Sequence, residues 1–188
     1  MTSPQLRIHH LLDSSLVNGP GKRAVIWLHG CTLACPGCFN PETHSTSAGK
    51  NYLIEALMDW LAPLTDQVDG LTISGGEPLQ QIHPLVDLLQ QVKARIGLPV
   101  LLFTGYTWNE IQKMPAAPVL LACVDVIIAG RYLADQRQAD GLIGSTNKTV
   151  HFLTNRYTPT DLAVIPPAEV LIDANGAVNL SGIDPLIW

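Results

Sequence analysis

Charge is scarce in this chain: 14% of its 188 residues are charged, 11 basic against 16 acidic, and no basic run stands anywhere. A phosphate-binding surface needs clustered lysine and arginine. The balance therefore argues against nucleic acid and for a small-molecule or protein partner. Long apolar runs are missing too. The longest, "APVLLACVDVIIAG" at 117–130, is broken by Asp125 and is shorter than the roughly 18 residues a membrane span requires, so it reads as a core segment. The start, "MTSPQLRIHH", has no basic stretch followed by an apolar one, so no secretory signal is expected and the reducing cytoplasm is the expected compartment. Cysteine is rationed to four residues. In that compartment clustered thiols bind metal or do redox chemistry rather than form disulfides.

What the chain does have is apolar surface to bury, 47% of its residues, punctuated by 15 glycines and 14 prolines. That composition predicts a compact, loop-rich globule, with residues 1–188 forming a single domain. "AVIWLHG" (24–30), "GLTISGG" (70–76), "LPVLLFTG" (98–105), "VDVIIAG" (124–130) and "TVHFLT" (149–154) read as strands from their β-branched, apolar runs ended by turn residues. Between them, 51–64 places Leu53, Leu57, Trp60, Leu61 and Leu64 at helical spacing. Residues 79–97 put Leu85, Leu88, Leu89, Val92 and Ile96 on one face, stopped by Gly97. Thr107 followed by Glu110 predicts a capped short helix over 107–114. Strand–helix alternation predicts an α/β fold whose parallel sheet is covered on both faces. Ligands on such sheets sit at the carboxyl ends of the strands. The tail, 168–182, reads as a small C-terminal hairpin turning at Asn175-Gly176 in a two-residue type I′ turn, added to a core over about 17–160.

"HGCTLACPGCFN" (29–40) gathers three of the four cysteines, Cys31, Cys35 and Cys38, in a C-x3-C-x2-C pattern directly after a strand. Thiolates so close can converge on a compact iron–sulfur cluster, which four cysteines would close. Three leave one iron open. Cys123 is a candidate fourth ligand, but its apolar stretch begins a strand and so belongs at the opposite end of the sheet, where a free cysteine is a small packing residue. Zinc is a further alternative, though structural zinc wants paired C-x2-C units or histidines at fixed spacing. His29 and His44, which flank the loop, fit no such spacing and read as loop or surface side chains.

Those three cysteines, followed by the "SGGEP" of Ser74 to Pro78, resemble the radical S-adenosylmethionine superfamily. Within it, "GPGKRAVIWLHGCTLACPGCFNPETH" (19–44), "ISGGEPL" (73–79), "FTGYTWNEI" (103–111), "VDVIIAGRY" (124–132) and "GSTNK" (144–148) resemble the activating enzymes of anaerobic ribonucleotide reductase and, more distantly, of pyruvate formate-lyase. The resemblance runs over about 17–182. It implies a partial parallel (β/α) barrel. It also implies a [4Fe–4S] cluster on Cys31, Cys35 and Cys38, with the amino and carboxylate groups of S-adenosylmethionine on the fourth iron. The one-electron-reduced cluster would then cleave the cofactor to a 5′-deoxyadenosyl radical that abstracts hydrogen.

The same resemblance suggests cofactor contacts at Gly37, Cys38, Phe39, Gly75, Gly76, Glu77, Thr104, Arg131 and Asn147, and no catalytic residue beyond the cluster and cofactor ligands. Gly75 and Gly76 would let the backbone approach a ligand, and Glu77 would face the methionyl ammonium. Gly37, Cys38 and Phe39 would lie against the adenine, and Arg131 would neutralise the carboxylate. Many superfamily members have an aromatic residue just before the third cysteine, where this chain has Gly37, as the reductase-activating branch commonly does. Two departures leave the substrate open: Ala129 stands where relatives often carry an acid, and Lys148 where glutamine is usual. The implied function is installation of a glycyl radical on a partner enzyme resembling anaerobic ribonucleotide reductase, fed by a one-electron donor such as flavodoxin or ferredoxin. Two alternatives remain. One is a radical enzyme acting on a small molecule or peptide, resembling 7-carboxy-7-deazaguanine synthase; the other is a non-enzymatic iron–sulfur or zinc protein.

Overall fold

The computed structural model describes residues 3–140, 142–172 and 175–183. The strands are β1 (Gln5–Ser15), β2 (Arg23–Leu28), β3 (Lys50–Leu53), β4 (Gly70–Gly75), β5 (Val100–Thr104), β6 (Val126–Ala129), β7 (Arg137–Asp140), β8 (Ile143–Ser145), β9 (Thr149–Phe152), β10 (Ala168–Ile172) and β11 (Val178–Gly182). The α-helices are α1 (Ile54–Leu61), α2 (Ile82–Gln91), α3 (Trp108–Ile111), α4 (Ala117–Leu121) and α5 (Pro159–Ala163).

Seven strands form one mixed sheet in the order β3-β1-β2-β4-β5-β6-β9. Its centre, β2, β4, β5 and β6, is parallel, while β1 and β9 flank it antiparallel and β3 pairs antiparallel with β1. Alternation along each central strand sends one set of side chains to each face. Ala24, Ile26 and Leu28, Leu71 and Ile73, Val100 and Leu102, and Ile127 and Ala129 share one core with Leu57, Met58 and Leu61 of α1, Leu85, Leu88 and Leu89 of α2, and Leu120 of α4. Burying each such leucine is worth about 2 kcal/mol, so this helix-covered face carries most of the apolar stabilisation.

The other face differs from the expectation of cover on both sides. Leu101, Val126 and Ile128 meet Leu142, Leu162 and Ile165 in a smaller core. Trp27, Ser74 and Phe103, however, line an open cavity. Helices α1, α2 and α4 thus cover one side of the sheet, and the opposite side carries α5 and, in part, a cavity floor.

The apolar face read over 79–97 is present, with Leu85, Leu88, Leu89 and Val92 fully buried. Gly97 ends the segment in the left-handed region at φ +80°. The capping box of Thr107 and Glu110 is formed at the start of α3. The helix expected over 51–64 is shorter: Lys50–Leu53 is a strand paired with β1, and Leu53, assigned to the apolar face, is exposed. Residues 117–121, read as part of one core run, are α4, which a turn containing Cys123 separates from β6. The C-terminal hairpin is present, with Ile172 opposite Val178 as its last pair. The expected two-residue turn at Asn175-Gly176 is not formed: five residues, 173–177, separate the strands, with Gly176 at φ +82° and residues 173 and 174 outside the described ones. Among the described residues no helix is long and apolar enough to cross a membrane.

Candidate functional site

The loop after β2 is closed by its own backbone. Gly30 N–H donates to Thr43 O at 2.7 Å and Cys31 N–H to His44 O at 3.0 Å, so the two arms of the loop are pinned together. Inside, Cys38 N–H donates to Cys35 O at 3.1 Å, and Gly37 supplies the turn with φ +70°. Ala34 adopts φ +46°, a conformation that costs a non-glycine residue about 1 kcal/mol and is held by the surrounding pins. The backbone N–H groups of Leu33 and Ala34 are directed at the Cys31 thiol and that of Asn40 at the Cys38 thiol; burial nevertheless pushes both thiols up from their ordinary pKa. The thiols feel one another, Cys38 acting on Cys31 and Cys35 on Cys38. All three line one cavity of about 480 Å³.

The β4 turn supports this loop from below. Gly76 N–H donates to Leu28 O at 2.8 Å and Glu77 N–H to Gly30 O at 2.9 Å. Gly75 takes φ +105°, and a Cβ there would collide with the Leu28 backbone; one at Gly76 would stand 2.5 Å from Gly30 O. The glycine pair is thus required where two stretches of protein backbone meet, whatever else it faces in the cavity. Glu77 is 1% exposed. Its Oε1 accepts from Leu79 N–H at 2.9 Å and Thr104 Oγ1 at 2.7 Å, and its Oε2 from Gly105 N–H at 2.7 Å. Burial raises its pKa, against the pull of these three bonds and of Arg131. One carboxylate therefore ties the ends of β4 and β5 together, with Thr104 as its partner, and both residues remain on the cavity wall.

Beyond β6 the picture changes. Arg131 forms a two-pronged ion pair with Glu110, both contacts 2.9 Å, bonds Gly105 O, and lies over the Tyr106 ring at 5.0 Å. Asn147 donates to Arg131 O at 2.9 Å. Neither lines the cavity. Phe39 does, with its ring 4.6 Å from that of Tyr132 and close against Gly144, where a Cβ would stand 2.8 Å from it. Gly37 abuts Ala134 instead, its absent Cβ lying 3.1 Å from that side chain. Ala129 packs in the helix-side core, 1% exposed, so the acid that relatives often carry there has no polar counterpart at this position.

Several cavity residues carried no sequence signal. Lys148, singled out in the sequence only as a departure from the usual glutamine, is on the wall too, half-buried and the single lysine or arginine among the described lining residues. Burial lowers its pKa while Cys35, Glu77 and Cys38 oppose that. His9, His10 and Leu12 of β1, and Asn179 to Gly182 of β11, complete the walls. The hairpin, expected only to cap the core, is held there by Asn18 Nδ2 donating to Ser181 Oγ at 2.6 Å and by Leu16 N–H donating to Glu169. His29, read as a loop or surface residue, is 5% exposed, and neither ring nitrogen has a hydrogen-bond partner. His44 lines the cavity with its Nε2 buried and unpartnered. Cys123 lines a different, smaller cavity with Lys93, Asp125 and Arg156.

Three thiols on one cavity, two of them met by backbone N–H groups, are a donor set that fits an iron–sulfur cluster. Among the described residues no three His, Cys, Asp or Glu groups stand close enough to share one metal ion. A cubane binds each thiolate through a different iron, and the backbone N–H groups aimed at the Cys31 and Cys38 sulfurs are the outer-shell contacts that tune such a centre. The remaining volume is in the range of small-molecule sites.

Comparison with known proteins agrees with this donor set. A family model described as a 4Fe-4S single cluster domain matches residues 17–151. The anaerobic ribonucleoside-triphosphate reductase-activating protein of Vibrio cholerae serotype O1 is 35% identical over 158 residues, spanning 79% of this chain and 99% of that one. The protein of the same description from Salmonella typhi is 31% identical over 156 residues, again 79% and 99%. That of Enterobacteria phage T4 is 35% identical over 120 residues, 62% of this chain and 74% of that one. Among solved structures, QueE from Escherichia coli aligns over 55% of this chain and 53% of that one with 21% identity and a TM-score of 0.42, a likeness too slight to argue from.

Proposed function

The chain belongs to the family of 4Fe-4S single cluster domains and, within it, to the anaerobic ribonucleoside-triphosphate reductase-activating proteins, and on that premise we propose that it installs a glycyl radical on a partner reductase. It is a radical S-adenosylmethionine enzyme, and its cofactors are a [4Fe–4S] cluster and S-adenosylmethionine. When bound and reduced, they supply a 5′-deoxyadenosyl radical that abstracts hydrogen. The observation that carries the reading is the convergence of Cys31, Cys35 and Cys38 on one cavity from which Cys123 is absent.

In this reading Cys31, Cys35 and Cys38 ligate the cluster, and the pinned arms of their loop hold the thiols in place before it arrives. Gly75 and Gly76 let the β4 backbone seat that loop. Glu77, fixed by Thr104 and Gly105, presents its charge to the cavity wall where the methionyl ammonium would lie. Phe39 and the backbone around Gly37 and Cys38 offer a flat edge to the adenine. Arg131 and Asn147 hold the β5 and β6 loops in register rather than meeting the carboxylate directly. We read β2, β4, β5 and β6 as the parallel staves of a partial barrel with the cavity on its inner side, residues 1–188 as one domain, the cytoplasm as its setting, and a flavodoxin or ferredoxin as its electron donor.

Anaerobically reconstituted protein should bind about four irons and, with dithionite and S-adenosylmethionine, release 5′-deoxyadenosine. Mixed with its cognate anaerobic reductase it should also give the doublet of a glycyl radical in electron paramagnetic resonance. Turnover to 5′-deoxyadenosine without that doublet would sink the activase assignment in favour of a small-molecule or peptide substrate. No turnover from an intact cluster would sink the enzyme.

A further inference from the structure

Lys148 is the cavity residue that the site as read above leaves without a task. It lies in the turn between β8 and β9, its N–H donating to Ser145 O at 3.1 Å. Its stem runs along Gly130, where φ is +125° and an added Cβ would stand 3.4 Å from Lys148 Cα and 3.7 Å from its Cγ. The ammonium donates to Gly130 O at 2.8 Å, and among the described residues its other two N–H groups have no partner. It makes no ion pair among the described residues, in contrast to Arg131, whose charge is matched by Glu110. The acidic groups that act on it, the Cys35 and Cys38 thiols and the Glu77 carboxyl, all line the same cavity.

Taking the three cysteines as cluster ligands, we propose that Lys148 is an electrostatic positioning residue for that cluster: its anchored, unpaired ammonium favours the reduced state and so raises the reduction potential. In the step concerned, one electron from the external reductant takes the cluster from its 2+ to its 1+ state, with no bond made or broken. A cluster on three thiolates gains negative charge in that step. A fixed positive charge on the cavity wall stabilises the product more than the reactant. The neutral Gly130 carbonyl anchors the ammonium without cancelling its charge.

The test uses the full chain, reconstituted anaerobically, in wild-type, Lys148→Gln, Lys148→Met and Lys148→Arg forms. Iron and sulfide content and a thermal melt establish that each variant is loaded and folded. A redox titration without S-adenosylmethionine, read by electron paramagnetic resonance, then gives the midpoint. At a fixed poise Lys148→Gln should show a reduced-to-oxidised ratio about tenfold below wild type, a fall of about 59 mV for a one-electron couple. Lys148→Arg should keep the wild-type midpoint. Lys148→Met, which preserves the stem's packing, gives the same reading should the glutamine variant load poorly. An unchanged midpoint in either neutral variant with its cluster intact overturns this inference alone, whereas a wild-type protein that takes up no cluster overturns it together with the proposed function.

Discussion

At the amino ends of the parallel strands the Arg23 guanidinium is wholly buried; at the carboxyl ends the Glu77 carboxylate is nearly so. Arg23 donates to Thr72 Oγ1, Tyr157 Oη, Leu71 O and Pro99 O at 2.6 to 3.1 Å, and Gly70 leaves the room it occupies, since a Cβ there would collide with it. Every arm of that charge is spent on neutral groups, on β4, just before β5 and just before α5. Glu77 likewise joins two strands, but its neighbours are the cysteine loop, Lys148 and open volume. The same device, a buried charge tying strand ends, thus serves cohesion at one end and a binding cavity at the other. What separates the two ends is whether unpaired donors and charges remain around it.

The sharpest way to break that contrast is to remove the thiols. Cys31→Ala, Cys35→Ala and Cys38→Ala should each abolish the brown chromophore, while Cys123→Ala, at the other end, should leave iron content unchanged. Loss of iron from Cys123→Ala would erase the distinction between the ends. Next, Gly76→Ala forces a Cβ to 2.5 Å from Gly30 O, so the cysteine loop must shift; iron uptake should fall severalfold, read by metal analysis on soluble protein. At the amino end, Arg23→Ala removes the four hydrogen bonds to Thr72, Tyr157, Leu71 and Pro99 and leaves a void, a loss of about 3 kcal/mol in a denaturant melt of the metal-free protein. The fraction that folds should load iron normally.

Smaller effects sharpen the comparison further. Gly97→Ala meets no atom within 4 Å, so its cost is the left-handed backbone alone, about 1 kcal/mol, with cluster content untouched. A loss of several kcal/mol there would show that the helix end is packed rather than merely turned. The smallest concerns Glu110, whose carboxyl is held down to about 2 by hydrogen bonds from the Thr107 backbone, Arg131 and the Thr107 hydroxyl. A depressed carboxyl adds stability above its ordinary value of 4.5 and loses it as pH falls from there towards 2. The Glu110 side chain is 42% exposed, which screens the pair to under about 1 kcal/mol. The stability gap between wild type and Glu110→Gln should therefore be constant at neutral pH and close through that acid window; a gap that persists at pH 2 would contradict it.

Much of this was legible in residue order. The cysteine spacing, the Gly75-Gly76 pair, the Thr107 and Glu110 capping box and the Gly97 stop all work within a few residues of themselves, so the chain spells them out. β1 was not legible because register shifts between Ile8 and His10 and between Leu12 and Ser15 break the two-residue alternation that marks a strand. β3 depends on β1 for its pairing and so went with it. Arg131 was read correctly as a strand-end cation, yet its partner, Glu110, lies 21 positions away and turns it from the cavity. Lys148 stood out only as a departure from a pattern, with no local sign that its ammonium would enter the cavity.

By itself the sequence determined the cysteine spacing that resembles a cluster-binding loop and the parallel strands behind it, because residue spacing and apolar periodicity are local and survive without a partner. Tertiary structure alone decided which charges stay unpaired around the thiols, which glycines are needed for backbone contact, and that a C-terminal hairpin walls the cavity. Those outcomes rest on contacts between residues far apart in the chain, whose desolvation and pairing exist only once the sheet has brought them together.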